Sequence, residues 1–215
     1  MLRIMTTSDT QLLNRLTAGL AQLEVPLAAR EAQRLVVLVQ LLARWNKAYN
    51  LTAIKEPVEM IDKHVLDSLS LHRYVTSGPV LDVGTGGGFP GLPLALCSPE
   101  LAFTLLDSHA KKLRFVNQAA AAMALGNVTT MHSRVEHFDA PAGFATITSR
   151  AFASLRQIAD WCGHLLAPGG KLLAMKGHVA EQELAELGAG WHAKAEPVVV
   201  PFVDGVRHIV TLTPA

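Results

Sequence analysis

Two acidic residues and a set of alternating glycines have the types and spacing of a nucleotide-cofactor site. Asp82 lies at the end of a short apolar segment, and Gly84, Gly86 and Gly88 follow it, while Asp107 closes the next apolar segment. Glycine tolerates a positive φ and lets backbone amides at a helix start approach a ligand closely. The stretch 80–91 therefore predicts a strand, a cofactor loop and the start of a helix.

The register of the glycines decides between two cofactors. Gly86, Gly88 and Gly91 satisfy the dinucleotide pattern G-x-G-x-x-G, which is a weak signal by itself. The pattern acid-x-G-x-G-x-G resembles motif I of the S-adenosylmethionine (SAM) methyltransferases instead. The carboxylate of Asp82 would repel a pyrophosphate but attract the ammonium and sulfonium of SAM. We expect Asp107 to bind ribose hydroxyls, which suits either cofactor.

The elements that must position these residues alternate between strand and helix. Three helices, near 8–25, 28–49 and 57–72, precede the glycine loop and predict an N-terminal helical cap at 1–76 ahead of a core at 77–215. The core predicts a parallel sheet closed by an antiparallel hairpin, the seven-stranded, Rossmann-like class I SAM methyltransferase fold. The expected strands are 80–84, 102–107, 127–132, 144–149, 171–176, 198–203 and 208–212, and the expected core helices are 91–97, 109–125, 154–167 and 179–188.

Polar residues on the third helix permit two interpretations. His64, Asp67 and Ser68 stand at i, i+3 and i+4, so all three can share one helix face. They form either a hydrogen-bonded helix packed on the sheet or a wall of the active site. Spacing alone favours the first.

Ligands of doubly wound sheets bind at the carboxyl ends of the strands, where further candidates stand. Val135 and Glu136 follow the third strand and are placed to contact an adenine. Arg134 or Arg150 would hold a phosphate, a guanine oxygen or the SAM carboxylate. The fourth strand lacks the residues that amine methylation requires, and neither cysteine has the setting of a nucleophile. These features favour an acceptor that loses no proton, such as guanine N7.

Composition narrows the class of protein. Of 215 residues, half are apolar and 17% are charged, and the net charge of +1 means that any basic surface must be local. No apolar run reaches the roughly 18 residues that span a bilayer, and the N-terminus has no signal-peptide pattern. We therefore expect a cytoplasmic protein, monomeric because no apolar seam is evident, and without a metal because no ligand pair stands at the required spacing.

Several segments together resemble one family, the bacterial glucose-inhibited division protein B family of small-subunit ribosomal RNA guanine-N7 methyltransferases. The resemblance implies SAM-dependent methylation of N7 of one guanine in the decoding-region loop of 16S rRNA within the small ribosomal subunit. It also favours the site-wall interpretation of the third helix. The segments that carry it are 45–52, 64–69, the glycine loop with Phe89-Pro90-Gly91, 106–108, 133–136, 149–153 and Lys176-Gly177.

The resemblance also implies roles for individual residues. The family's cofactor contacts correspond to Gly84, Phe89, Val135, Glu136 and Arg150, with Arg150 positioning the acceptor and no general base required. The alternatives are a small-molecule methyltransferase, a SAM-binding module without catalysis and a nicotinamide oxidoreductase. The residues expected to contact RNA are Lys47, His64, Asp67, Arg134, Lys176 and Arg207.

Overall fold

The computed structural model describes residues 7–150, 153–177 and 181–215 and has a single seven-stranded sheet at its centre. The strand order is β3-β2-β1-β4-β5-β7-β6, with β1 to β5 parallel and β7 antiparallel to both of its neighbours. The predicted parallel sheet closed by an antiparallel hairpin is confirmed. The strands are β1 (Val80–Val83), β2 (Phe103–Asp107), β3 (Val128–His132), β4 (Phe144–Arg150), β5 (Leu166–Lys176), β6 (Trp191–Val198) and β7 (Arg207–Pro214).

Helices cover both faces of this sheet, as short βα connections of a parallel sheet require. Two buried clusters result, one beneath α1, α2, α5 and α6 and the other beneath α7 and α8. Their fully buried leucines, each worth roughly 1.5–3 kcal/mol, supply the main stabilisation. The helices are α1 (Thr7–Gln22), α2 (Ala29–Tyr49), α3 (Pro57–Met60), α4 (Asp67–Leu69), α5 (Gly91–Cys97), α6 (Ala110–Ala122), α7 (Leu155–Cys162) and α8 (Glu181–Ala185).

The N-terminal helices share a core with the sheet. Leu16 and Leu38 lie in the same buried cluster as Val80 and Leu105 of the central strands. A Cβ on Gly19 would come within 2.3 Å of Leu66 Cδ1, so α1 packs closely on the third predicted helix. The division at residue 76 stays a prediction, since this shared core does not test it.

The third predicted helix differs from expectation in its middle. A π-helical segment, Ile61–Leu66, separates α3 from α4. His64 lies within this π-helical segment, and Asp67 and Ser68 follow it in α4. Such turns occur frequently at functional sites.

The predicted boundaries were also wrong in two regions, at the junction between α7 and β5 and at the first strand of the hairpin. The helix expected at 154–167 ends at Cys162, followed by a 3-10 turn, and β5 begins at Leu166, five residues before the expected start. The first hairpin strand is β6, which ends at Val198, where the predicted strand at 198–203 begins. β6 lies at the sheet edge and is mostly exposed, so it lacks the apolar alternation that marks a half-buried strand.

Candidate functional site

The glycine loop joins β1 to α5 with three left-handed glycines. Gly84, Gly86 and Gly88 have φ values of 67°, 58° and 84°, which residues with a Cβ rarely adopt. A Cβ on Gly86 would meet no atom nearer than Gly84 O at 3.8 Å, so the missing side chain leaves open space there. A Cβ on Gly88 would come within 2.3 Å of Leu92 Cδ1, so this glycine permits packing beneath the loop.

Asp82 lies under the loop instead of facing a cavity. Its side chain is fully buried and accepts hydrogen bonds from Thr85 Oγ1 at 2.6 Å, Gly91 N at 3.0 Å and Thr148 Oγ1 at 3.1 Å. Burial raises its pKa to about 6 against the opposing effect of these donors. The expected direct attraction to the cofactor is therefore corrected, because the carboxylate shapes the loop and does not reach the cavity.

Asp107 connects the loop to the start of α6. Its Oδ2 accepts from Gly86 N at 2.9 Å, and its Oδ1 accepts from His109 N at 2.8 Å. Its Oδ1 also lies 3.0 Å from His109 Nδ1, whereas its Oδ2 can accept a further bond, and Asp107 lines a cavity. Its position therefore agrees with the predicted role of binding hydroxyl groups.

Two cavities meet at the carboxyl ends of the parallel strands, and Gly84 lines both. The larger has a volume of about 620 Å³ and the smaller one of about 440 Å³. An elongated ligand can therefore cross from one to the other over the glycine loop. The larger is lined by Thr52, His64, Asp67, Phe89, Arg150 and Arg207 among others, and the smaller by Asp107, Lys112, Arg134, Val135 and Glu136 among others.

Arg150 is held in a network at the wall of the larger cavity. Its Nη1 donates to Asp67 Oδ2 and to the carbonyl of Lys63, both at 3.1 Å. Arg207 Nε lies 3.7 Å from the other oxygen of Asp67. Burial raises the pKa of Asp67 while the two arginines lower it. Asp67 thus accepts from one guanidinium and lies close to the other, which fixes the orientation of Arg150.

His64 is held on three sides. Its ring stacks on Phe89 with centroids 4.9 Å apart, its Nε2 lies 2.8 Å from Thr52 Oγ1, and its Nδ1 lies 3.4 Å from Arg150 Nη2. A guanidinium can only donate, so Nδ1 must accept and Nε2 carries the proton. Burial and the charge of Arg150 lower the pKa of His64 to about 4. The imidazole is therefore neutral at pH 7.

The structure separates the three polar residues of the third predicted helix. His64 and Asp67 line the larger cavity, as the site-wall interpretation predicts. Ser68 is fully buried, and its Oγ donates to the carbonyl of His64. Ser68 therefore stabilises the segment and lies away from the cavity.

Lys176 and Lys47 are placed differently from the residues that surround Arg150. Lys176 lines the larger cavity, but its Nζ donates to Glu183 Oε1 at 2.6 Å and to the carbonyl of Ala153 at 2.9 Å. Its charge is therefore neutralised within the protein, contrary to the free cation that an RNA contact needs. Lys47 is exposed on α2 and lines neither cavity.

Sequence reasoning missed Thr52 and His208. Asn46 Oδ1 accepts a hydrogen bond from Thr52 N at 2.9 Å and so fixes the position of Thr52. The presence of both residues in the segment 45–52 was the sequence signal that could have identified Thr52. His208 lines the larger cavity, and its buried Nδ1 has no hydrogen-bond partner among the described residues. Such a polar atom needs a partner, which a bound ligand would provide.

Two features are absent from the described ranges. No helix there is long and apolar enough to cross a membrane. No cluster of three histidine, cysteine, aspartate or glutamate side chains there is arranged to hold a metal ion.

Solved structures with the same architecture are methyltransferases. A Burkholderia thailandensis 1,6-didemethyltoxoflavin-N1-methyltransferase with bound S-adenosylhomocysteine has a TM-score of 0.57 at 18% identity, covering 88% of this chain and 92% of its own. A glycopeptide N-methyltransferase has the same TM-score at 14% identity, covering 68% and 90%. At these identities the likeness concerns the fold alone.

Relatives with higher sequence identity indicate the family of this chain more narrowly than the solved structures do. A ribosomal RNA small subunit methyltransferase G from Photobacterium profundum is 45% identical over 201 residues, which is 93% of this chain and 97% of the relative. One from Xanthomonas campestris pv. campestris is 48% identical over 173 residues, which is 80% and 82%. The family profile of GidB, described as rRNA small subunit methyltransferase G, matches residues 31–210.

The fold and its loop site define a class I methyltransferase that uses SAM as methyl donor. The open space at Gly86 and the unpartnered His208 Nδ1 agree with a bound cofactor. The chain belongs to the rRNA small subunit methyltransferase G family, and its reaction is methylation of ribosomal RNA. The resemblance found in the sequence is thereby confirmed.

Proposed function

We propose that this enzyme transfers the methyl group of SAM to N7 of one guanine in the decoding-region loop of 16S rRNA. The observation that carries the choice of atom is the state of the ionisable groups at the larger cavity. His64 is neutral with both ring nitrogens engaged, and Asp67 lies between two arginines. Neither group is placed to remove a proton, and guanine N7 has a free lone pair and no proton to lose.

The proposed reaction balances without a base. When bound, SAM supplies an electrophilic methyl group on its sulfonium. The S–CH3 bond breaks as the N7–CH3 bond forms, and the positive charge passes from sulfur to the guanine ring. The protein must only hold the two reactants in line and exclude water.

Residue roles follow from the two cavities. Val135 and Glu136 would contact the adenine in the smaller cavity, with Asp107 on the ribose. Gly84, Gly86 and Phe89 would line the path to the larger cavity, where Arg150 would hold the cofactor carboxylate or the guanine O6. Asp82 and Gly88 would support the loop from beneath. Arg134 lines the smaller cavity, where its cation would contact RNA at the entrance.

Transfer of label from radioactive SAM to small ribosomal subunits tests this proposal. The subunits would come from cells that lack the enzyme, and the labelled nucleotide would be mapped by primer extension after cleavage at N7-methylguanine. We expect one labelled guanine in the decoding region. Label on another atom or nucleotide would contradict the proposed acceptor. We further propose that the protein acts as a cytoplasmic monomer, which sedimentation at working concentration would test.

A further inference from the structure

Helices α2 and α6 contain several cations and only one acidic residue between them. The only acidic residue of α2 is Glu31 in its first turn, and α6 has none. The cations cluster in the last turns of α2 and the first turns of α6. We call the α2–α6 face the set Arg44, Lys47, Tyr49, Lys111, Lys112 and Arg114.

Aromatic contacts bring the two halves of this face together. The rings of Trp45 and Phe115 meet edge to face with centroids 5.6 Å apart, and Lys111 Nζ lies 5.2 Å from the ring centre of Tyr49. Every member of the face stands within four residues of Trp45 or Phe115 along its helix, a distance of about 6 Å along the axis. Arg44 and Lys47 are i, i+3 neighbours on α2, and Lys111 and Arg114 are i, i+3 neighbours on α6, so each helix carries a pair of adjacent cations close to this contact.

The cations of this face differ from those paired with carboxylates at the larger cavity. None of the ion pairs formed among the described residues involves a cation of the α2–α6 face, and Arg44, Lys47, Lys111 and Arg114 are exposed. The protein has a net charge of only +1. Five cations outside these ion pairs therefore lie on two helices that contact each other.

The face borders both cavities. Leu42 of α2 lines the larger cavity, and Lys112 and His109 at the start of α6 line the smaller one. A polyanion whose reacting nucleotide entered the larger cavity would therefore pass close to these cations. Exposed lysines and arginines bind phosphates by neutralising charge and releasing counterions.

We propose that the α2–α6 face binds the phosphate backbone of the substrate ribosomal RNA beside the target nucleotide. The inference rests on the proposed function for the identity of the polyanion. Its role is affinity and placement of the RNA, whereas the buried network around Arg150 governs the reacting groups. The expected signature is a dependence of binding on salt that these cations cause.

Two double variants and a matched control test the proposal. Arg44→Ala with Lys47→Ala removes the two cations that α2 contributes to the face, and Lys111→Ala with Arg114→Ala removes two of the three that α6 contributes. The control, Arg30→Ala with Arg73→Ala, removes two exposed cations that are in no ion pair with a described residue, one at the far end of α2 and one in the turn before β1. Thermal melting checks that each variant is folded. The substrate is the small ribosomal subunit from cells lacking the enzyme.

We expect each test variant to lower kcat/KM about tenfold at about 0.15 M salt through KM, with kcat unchanged. The slope of log(kcat/KM) against log[salt] should become shallower by about 1.5, since each lost phosphate contact contributes about 0.7–0.9. The control should stay within about twofold with the wild-type slope. An unchanged slope in both test variants, or an equal change in the control, would overturn the proposal.

Cosedimentation of each variant with the subunit in the presence of S-adenosylhomocysteine separates this proposal from the proposed function. Wild-type transfer to an atom other than guanine N7, with binding lost only in the test variants, would contradict the acceptor and support the face. Transfer to N7 with equal binding by all variants would support the proposed acceptor and contradict the role of the α2–α6 face.

Discussion

The cations at the larger cavity and those of the α2–α6 face are of the same residue types but stand in opposite environments. Arg150 and Arg207 share Asp67, and Lys176 pairs with Glu183. Arg44 and Lys111 of the α2–α6 face are exposed and take part in no ion pair with a described residue. A paired, half-buried cation has a defined position, while an unpaired, exposed one retains its charge for a partner.

This difference separates geometry from attraction. A buried pair gains orientation at the cost of desolvation, and removing one partner leaves the other charge uncompensated. An exposed cation contributes little to stability, so its loss is felt mainly in binding to a polyanion. Substitutions at the cavity should therefore change the rate of transfer, and substitutions on the face should change its salt dependence.

The largest effect is expected for Arg150. Arg150→Ala should lower the single-turnover rate about 100-fold or more, because misplacement of reacting groups has effects of that size. Arg150→Lys, which keeps the charge and loses the fork, should recover only a small part. Rapid-quench assays with saturating subunit measure the rate, and melting curves report folding. A rate within threefold of wild type would contradict the assignment of Arg150 to the active site.

Asp82 should have the next largest effect, on stability. Asp82→Asn replaces an acceptor by a donor opposite Thr85, Gly91 and Thr148, which costs about 1–3 kcal/mol. Because the pKa of Asp82 is raised to about 6, the native state holds more protons than the unfolded state between pH 4 and 6. Its contribution to stability therefore falls as pH rises through that range.

The difference in unfolding free energy between wild type and Asp82→Asn should shrink as pH rises from 4 to 6. Urea unfolding at a series of pH values measures it. A difference that is constant with pH would contradict the buried, shifted carboxyl group. Asp107→Asn serves as control, since its carboxylate contacts the other side of the loop.

Asp67 should affect the rate moderately. Asp67→Asn keeps an oxygen that can accept from Arg150 but removes the charge that both arginines face. We expect a rate about tenfold lower and a lower stability, because the guanidinium charge of Arg150 loses its carboxylate partner. Single-turnover assays of Asp67→Asn and of Arg207→Ala measure the transfer rate. A rate for Asp67→Asn within twofold of wild type would show that Asp67 does not orient Arg150.

His64 tests the electrostatic coupling directly. Its pKa, lowered to about 4, should be visible by NMR of labelled imidazole as a histidine that stays neutral through pH 5. Arg150→Ala should raise this pKa partway towards its ordinary value, because burial remains while the repelling charge is gone. An unshifted value would mean that the 3.4 Å contact between the two side chains has no energetic effect.

The smallest effect is expected for a single exposed cation. Lys111→Ala alone should lower kcat/KM about two- to threefold, in line with one lost phosphate contact. Initial rates at several salt concentrations measure it against Arg30→Ala. A fall in kcat that is larger than the rise in KM would assign Lys111 to the cavity network. It would contradict the proposed difference between the two regions.

Much of the fold followed from local patterns. Apolar strands alternating with helices dictate a parallel sheet, and the glycines after Val83 mark the first turn. Boundaries failed where local signals were weak. β6 is an exposed edge strand without alternation, and Phe202, within the run predicted as a strand, adopts a left-handed φ of 65° in the turn that follows.

The sequence by itself determined the class of cofactor loop, the order of elements and the set of residues at the strand ends, because these depend on neighbours along the chain. Only the tertiary structure decided which carboxylate faces a cavity and which cations are paired. Asp82 lies near the end of β1 and Asp107 ends β2. Asp82 is nevertheless buried beneath the loop, whereas Asp107 lines a cavity. Burial and pairing arise from contacts between distant segments, such as Arg150 with Asp67, and local sequence carries no record of them.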